Sequence, residues 1–374
     1  MWTEDGQKIG TAWFDDCELV EGDDGKNLIP NPGFETTDEQ LDVEVDFTDW
    51  DRAAQYAFDE LHLRNFALPV QGMGGGTFHS RHLGRIGPYE QGTPGYERLM
   101  TKYLMAVQNH LEEKGWLDRQ YIYWFDEPDP KDYDFVRDGM DLLKRCAPKL
   151  RRMLTEEPIQ PLFGAVDLWC PVLPNMDPTA CAARKKAGED VWWYVCTGPK
   201  APYPTLFIDH SAIEMRIWLW MTWKWNLDGV LIWATNYWHS PAAYYQGKLQ
   251  NPWEDPMSYV SGYDYKPGQV AYWGNGDGRF LYPPNRKVGD DKAKYLEGPV
   301  SCIRWEMLRD GIEDYECLYL LRSLTEKGGA KAQEAAKLLE IPEAIIPDAT
   351  HFSRDPLPML EHRRKVAEVI EGLK

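Results

Sequence analysis

The sequence predicts an α/β fold: a (β/α)8 TIM-like barrel over residues 46–325, preceded by a β-sandwich segment at 1–45 and followed by a helical extension at 326–374. Three observations lead there. Helical and strand-like patterns alternate over about 270 residues, the length range of a closed eight-stranded α/β barrel. The opening 45 residues break that rhythm with period-two alternation and Pro/Gly turns. The closing stretch is polar and helical in period.

Taken in chain order, Gly10 to Val20 (GTAWFDDCELV) alternates like a strand, and Lys26 to Glu35 (KNLIPNPGFE) is punctuated by turns. Trp50 to His62 is an amphipathic helix that runs into the apolar stretch Asn65 to Val70, the least marked of the strand candidates. Pro94 to Lys114 has apolar residues at helical spacing and stops at Gly115. A short buried strand follows at Tyr121 to Phe125 (YIYWF), then a helix at Tyr133 to Cys146. Strands are expected at Arg152 to Thr155, Ala165 to Cys170 and Val191 to Cys196. A helix at Ala212 to Trp225 precedes a strand at Gly229 to Ala234, and the last strand candidate is Arg279 to Tyr282. That makes seven or eight strands. The tail from Leu318 (KAQEAAKLL, HRRKVAEVIEGL) reads as helices packed on the outside of the barrel.

Composition narrows the function. The 41 Lys and Arg stand against 60 Asp and Glu, a net charge of −19, which disfavours partners bound through phosphates. Nucleic acid is therefore excluded as an expected partner. The apolar run Ala212 to Met221 is interrupted by Glu214 and Arg216 and falls short of the roughly 20 residues a membrane span needs. The opening MWTEDGQKIG has no basic segment followed by an apolar one, so the expected location is cytoplasmic, or secreted or periplasmic if the natural start lies upstream. Seven cysteines without a CxxC pair fit neither a disulfide framework nor a zinc ribbon. The 17 Trp and 20 Tyr exceed what packing asks for, and flat amphipathic rings beside carboxylates suit a sugar-binding cleft. No pattern fixes an oligomeric state.

The strongest local signal is Tyr121-Ile-Tyr-Trp-Phe-Asp126-Glu127-Pro128, a hydrophobic strand running into two adjacent carboxylates. That places both acids at the C-terminal end of a strand, the face on which such barrels carry catalysis. Consecutive strand residues point to opposite sides, so both can serve one substrate only where the strand ends or bulges, and Pro128 marks such an ending. The aromatic residues upstream supply apolar surroundings that raise a carboxyl pKa toward that of a general acid. The bland reading has Asp126 capping the next helix and Glu127 in solvent. Aromatic and polar groups recur at other expected strand ends: Asp167 and Trp169, Trp193 and Tyr194, and Trp233, Asn236 and Trp238.

Other motifs weigh less. Gln71 to Gly76 (QGMGGG) lacks the Lys-Ser/Thr of a phosphate loop and reads as a flexible loop. His79 and His82 lack a third ligand, so no metal and no cofactor are expected. Glu156-Glu157-Pro158 is a second catalytic carboxylate or merely a loop. Arg304-Trp305-Glu306 and Arg309 to Glu316 lie on a helix, where opposite charges at helical spacing form a surface or domain-docking network. Cys170 and Cys196 lack a His partner for thiol catalysis.

The ordered motifs FDEP, DLWCP, WWYVCTGPKAPYP, EMRIWLWMTWKWNLDGVLIWATNYW and RWEMLRDGIEDYE resemble the catalytic domain of glycoside hydrolase family 123, the β-N-acetylgalactosaminidases, over roughly residues 46 to 325. The resemblance implies a (β/α)8 barrel preceded by a β-sandwich, a glycan or glycoconjugate substrate, and retaining exo-hydrolysis assisted by the substrate's 2-acetamido group. It implies Glu127 as the acid and then base, and Asp126 as the group that holds the acetamido N–H. The candidate substrate-binding set is Asp167, Trp169, Trp193, Tyr194, Arg216, Trp233, Asn236 and Trp238. Two alternatives stay open: a barrel glycosidase of other specificity pairing Glu127 with Asp167 or Glu157, and a glycan-binding protein without catalysis. The intact acid pair argues against the last.

Overall fold

Contact density in the computed structural model divides the chain into two compact units, Met1–Tyr123 with Asp138–Leu150, and Trp124–Arg137 with Arg151–Lys374. The structure describes residues 17–20, 25, 41–77, 80–196, 198–239, 249–256, 275–286, 298–326 and 328–373. Most of the expected sandwich segment at 1–45 lies outside the described residues, as does His79.

In the first unit, helix α1 (Thr48–Asp59) carries Asp49 and Asp51 in its opening turn, where the positive end of the helix dipole favours carboxylates. It buries Phe58 against Phe66 and Trp116. After β1 (Phe66–Ala67) come two antiparallel hairpins, β2 (Gly75–Thr77) with β3 (Ser80–His82) and β4 (Arg85–Ile86) with β5 (Tyr89–Glu90). Gly75 and Gly76 of β2 belong to the stretch Gln71 to Gly76 read as a flexible loop. A Cβ at Gly74 would stand 1.9 Å from the His82 carbonyl oxygen, so this close backbone approach requires glycine. Helix α2 (Pro94–Glu113) starts where Thr93 accepts a hydrogen bond from the Tyr96 N–H and Pro94 fills the first helical position. Gly115, at φ +70°, follows its end.

Strand β6 (Gln120–Phe125) pairs in parallel with β1 and its closing residues, Trp124 and Phe125, belong to the second unit. Helix α3 (Tyr133–Cys146), β7 (Arg152–Leu154), β8 (Leu168–Trp169), α4 (Pro178–Lys186), β9 (Asp190–Tyr194), α5 (Ile213–Lys224) and β10 (Gly229–Leu231) complete an alternating series. The strand order β1-β6-β7-β8-β9-β10 makes a six-stranded parallel sheet. The expected strand at Arg279 to Tyr282 does not join it: β11 (Leu281–Tyr282) pairs antiparallel with β12 (Val300–Ser301) in a sheet of its own.

Helix α5 is buried almost all round and packs against α6 (Ile303–Thr325), followed by α7 (Ala330–Ala336) and α8 (Leu357–Leu373). Trp116, Trp124, Trp169, Trp193, Trp218, Trp220 and Trp223 are all buried. This corrects the reading that the tryptophan excess serves a binding surface, since much of it fills the core. Among the described residues no helix is long and apolar enough to cross a membrane.

Candidate active site

In parallel α/β sheets ligands gather at the carboxyl ends of the strands. Here those ends bring together Asp126 and Glu127 after β6, Thr155, Glu156 and Glu157 after β7, and Tyr194 closing β9. Asp126 is half-buried and Glu127 exposed. Glu127 has φ +39°, in the left-handed region that a residue with a Cβ rarely enters. The backbone thus leaves the pleat at the second acid, as the ending after Phe125 anticipates.

One hydroxyl holds both acids. Thr155 Oγ1 donates to Asp126 Oδ1 at 3.1 Å and accepts from the Glu127 N–H at 2.9 Å. The buried Tyr194 hydroxyl donates to Glu127 Oε1. Glu127 is open to solvent as a residue, yet the protein around its carboxyl raises its pKa above the ordinary glutamate value. Burial is the largest cause, the Tyr194 hydrogen bond opposes it, and the negative charge of Asp126 adds to it. Burial and then the charge of Glu127 push the Tyr194 phenol far up, so it stays a neutral donor.

A second acid pair flanks the first. Burial, followed by a hydrogen bond shared with Glu157, raises the Glu156 carboxyl to about 8. Asn175 Nδ2 donates to Glu157 Oε2 at 3.1 Å. Burial, and then the charges of Glu156 and Glu157, raise Tyr133 to about 12. Burial and Glu157 thus favour the protonated form of Glu156, which can donate a hydrogen bond.

Several expected substrate contacts lie elsewhere. Asp167 precedes β8 rather than ending it, and Arg152 binds it through both forks, Nε to Oδ2 at 2.7 Å and Nη2 to Oδ1 at 2.8 Å. Trp169 and Trp193 are fully buried, so neither ring can stack on a sugar. Their indole N–H groups donate to Glu189 Oε2 at 2.5 Å and Thr222 Oγ1 at 2.9 Å. Arg216 is spent on the buried Asp314, at 2.6 Å and 3.0 Å. The loop after β10 keeps Trp233 and Trp238 half-exposed and Asn236 exposed. Trp233 Nε1 donates to Asp277 at 3.2 Å and Trp238 Nε1 to the Leu281 carbonyl at 2.7 Å. Cys170 is buried, and burial pushes its thiol far up, away from a reactive thiolate. Among the described residues no group of three or more His, Cys, Asp or Glu is placed to hold a metal ion.

Sequence analysis places Tyr194 in the substrate-binding set beside the acid pair, and Thr155, Tyr133 and Asn175 are absent from that set. The available signal for Thr155 was its place at the end of the strand next to FDEP, one residue before an acid pair.

The family model described as "Glycoside hydrolase 123, catalytic domain" matches residues 79–321. The chain belongs to glycoside hydrolase family 123. All the residues gathered at the carboxyl edge fall within that matched region of the family 123 domain. Among solved structures it is similar to a family 123 glycoside hydrolase from Clostridium perfringens, studied for glycolipid glycan hydrolysis. That similarity has 20% identity and a TM-score of 0.49, covering 75% of this chain and 46% of that one. This family 123 chain thus spans under half the length of the Clostridium enzyme. A GH10 xylanase from Thermobacillus composti is similar at 10% identity and a TM-score of 0.33, covering 72% of this chain and 83% of that one. A comparison with curated proteins finds no match.

Proposed function

We propose that this chain is a retaining exo-glycosidase that removes terminal β-linked N-acetylgalactosamine by substrate-assisted catalysis. The observation that carries the reading is the Thr155 hydroxyl binding both acids while Tyr194 binds Glu127. Glu127, whose pKa is raised by burial, donates its proton to the glycosidic oxygen as the bond to the anomeric carbon breaks. The acetamido oxygen attacks the same carbon, and Asp126 accepts the acetamido N–H hydrogen bond, stabilising the positive charge of the oxazolinium. The Glu127 carboxylate, steadied by the Tyr194 hydroxyl, then takes a proton from the water that opens the ring, which restores the acid and retains configuration.

Substrate assistance is an exception to the rule of two separated carboxylates, which a conventional retaining site holds about 5–5.5 Å apart. Asp167, a candidate for the second carboxylate, is neutralised by Arg152, which supports the assisted route. Trp233, Asn236 and Trp238 are the groups we assign to the sugar wall. The six-stranded sheet is read as the larger part of a (β/α)8 barrel, with residues 46–325 as the catalytic domain.

Activity on chromogenic β-GalNAc, β-GlcNAc, β-galactoside and β-glucoside substrates tests the proposal. We expect turnover of the 2-acetamido sugars alone, inhibition by a thiazoline analogue, and a loss of about 10²-fold or more in Glu127→Gln on poor leaving groups. Trapping of a carboxylate by a 2-fluoro sugar would sink the assisted mechanism.

A further inference from the structure

A cavity of about 540 Å3 opens beyond the end of α1, lined by Phe58, His62, Leu63, Arg64, Asn65 and Arg119. All six belong to the first unit. Asn65 and Arg119 immediately precede β1 and β6, and none of the six belongs to the candidate active site. Among the described residues its lining holds two guanidiniums, an imidazole and a carboxamide beside the apolar Leu63, and no carboxylate.

That absence is notable in a chain of net charge −19. Arg52, Arg145, Arg151 and Arg184 each meet a carboxylate. Arg64 is exposed and has no ion pair or hydrogen bond among the described residues. Arg119 lies 4.5 Å over the Phe58 ring, which orients its fork without neutralising its charge. His62 has φ +53° just past the end of α1, where helices ordinarily place glycine or asparagine. Helix termination alone does not select an imidazole there.

We propose that this cavity binds a sugar carrying an oxyanion, a sulfate ester or a uronate, at a site separate from hydrolysis. Two guanidinium forks match the oxygens of either group bidentately. Leu63, exposed, offers apolar surface to the C–H face of the ring, and the volume falls in the range of small-molecule sites. The sugar follows from membership in a family of glycan hydrolases.

Isothermal titration of the full chain at low salt with galactose 6-sulfate, glucuronate, galactose and inorganic sulfate tests this. At least one anionic sugar is expected to bind at a Kd of about 1 mM or tighter, with galactose silent. Arg64→Gln, an exposed change that spares the fold, is expected to weaken binding about tenfold or more without altering glycoside turnover. Arg119→Lys, which keeps the charge and removes the fork, is expected to weaken it as well, and Glu127→Gln to leave it unchanged. Silence of both anionic sugars, undiminished binding by Arg64→Gln, or inorganic sulfate binding as tightly as the sugars would each overturn the proposal.

Discussion

Replacing Tyr194 by Phe deletes one oxygen and isolates the control of Glu127. The phenol is 5% exposed and donates to Glu127 Oε1. A hydrogen bond to a charged group contributes about 1.5–3 kcal/mol. Glu127 is exposed, so solvent screening places this one at the low end, about 1.5 kcal/mol. At 1.36 kcal/mol per tenfold, that corresponds to about one step on the pH scale. The bond favours the carboxylate and restrains the rise that burial and Asp126 impose, so its loss lets the Glu127 pKa climb. In the proposed role Glu127 must be protonated to donate, and activity falls as pH rises through its pKa. The alkaline limb of kcat/KM should therefore move to higher pH in Tyr194→Phe, by about one. The assay is release of free sugar from an alkyl glycoside across about pH 4 to 10, because a poor leaving group makes proton donation limiting. An unmoved limb, or one displaced to lower pH, would refute the reasoning, while a uniform loss at every pH would reduce Tyr194 to a packing role.

Three further outcomes follow from the geometry. Asp167→Ala strips the partner from the buried Arg152 and should cost about 3–5 kcal/mol in denaturant unfolding. Folded Asp167→Ala should keep its turnover without azide rescue, against expectation for a nucleophile. Glu156, with a folded pKa of about 8 raised above the ordinary value, contributes stability that is full at low pH and lost as pH rises through 8. Glu156→Gln should flatten that loss, and at pH 8 its melting temperature should exceed that of the parent; an equal fall in both would remove Glu156 as the cause. Asp314→Ala leaves Arg216 and Arg363 without their shared carboxylate, with an expected loss of about 3–5 kcal/mol. A wild-type urea midpoint in that variant would contradict the network.

The parts of the fold legible in the sequence were those whose period is set locally. Tyr133 to Cys146 reads as a helix and forms one at the same bounds, and YIYWF lies in a strand because its apolar run is short and ends at acids and proline. Pairing was not legible in this way. Leu281 and Tyr282 have strand character, but nothing in their own residues says that they pair with Val300 and Ser301 rather than with the parallel sheet. The same holds at the candidate site. Asp126 and Glu127 announced themselves by type and place, whereas the direction of a side chain depends on neighbours distant in the chain. Trp193 and Tyr194 are consecutive, yet one indole goes inward to Thr222 while the next phenol reaches Glu127. Asp167 was misplaced because β8 starts one residue after it, which turns a supposed strand end into a strand beginning.

The donors to the Asp314 carboxylate come from chain segments synthesised at different times. It receives hydrogen bonds from Arg216 and Trp220, upstream in the chain, and from Arg363, 49 residues downstream on α8. A ribosome delivers the first two donors before the acid itself and the third only when α8 has emerged. Until then Asp314 has only two of these three donors within reach. The emergence of a single guanidinium late in translation is thus what closes this polar knot.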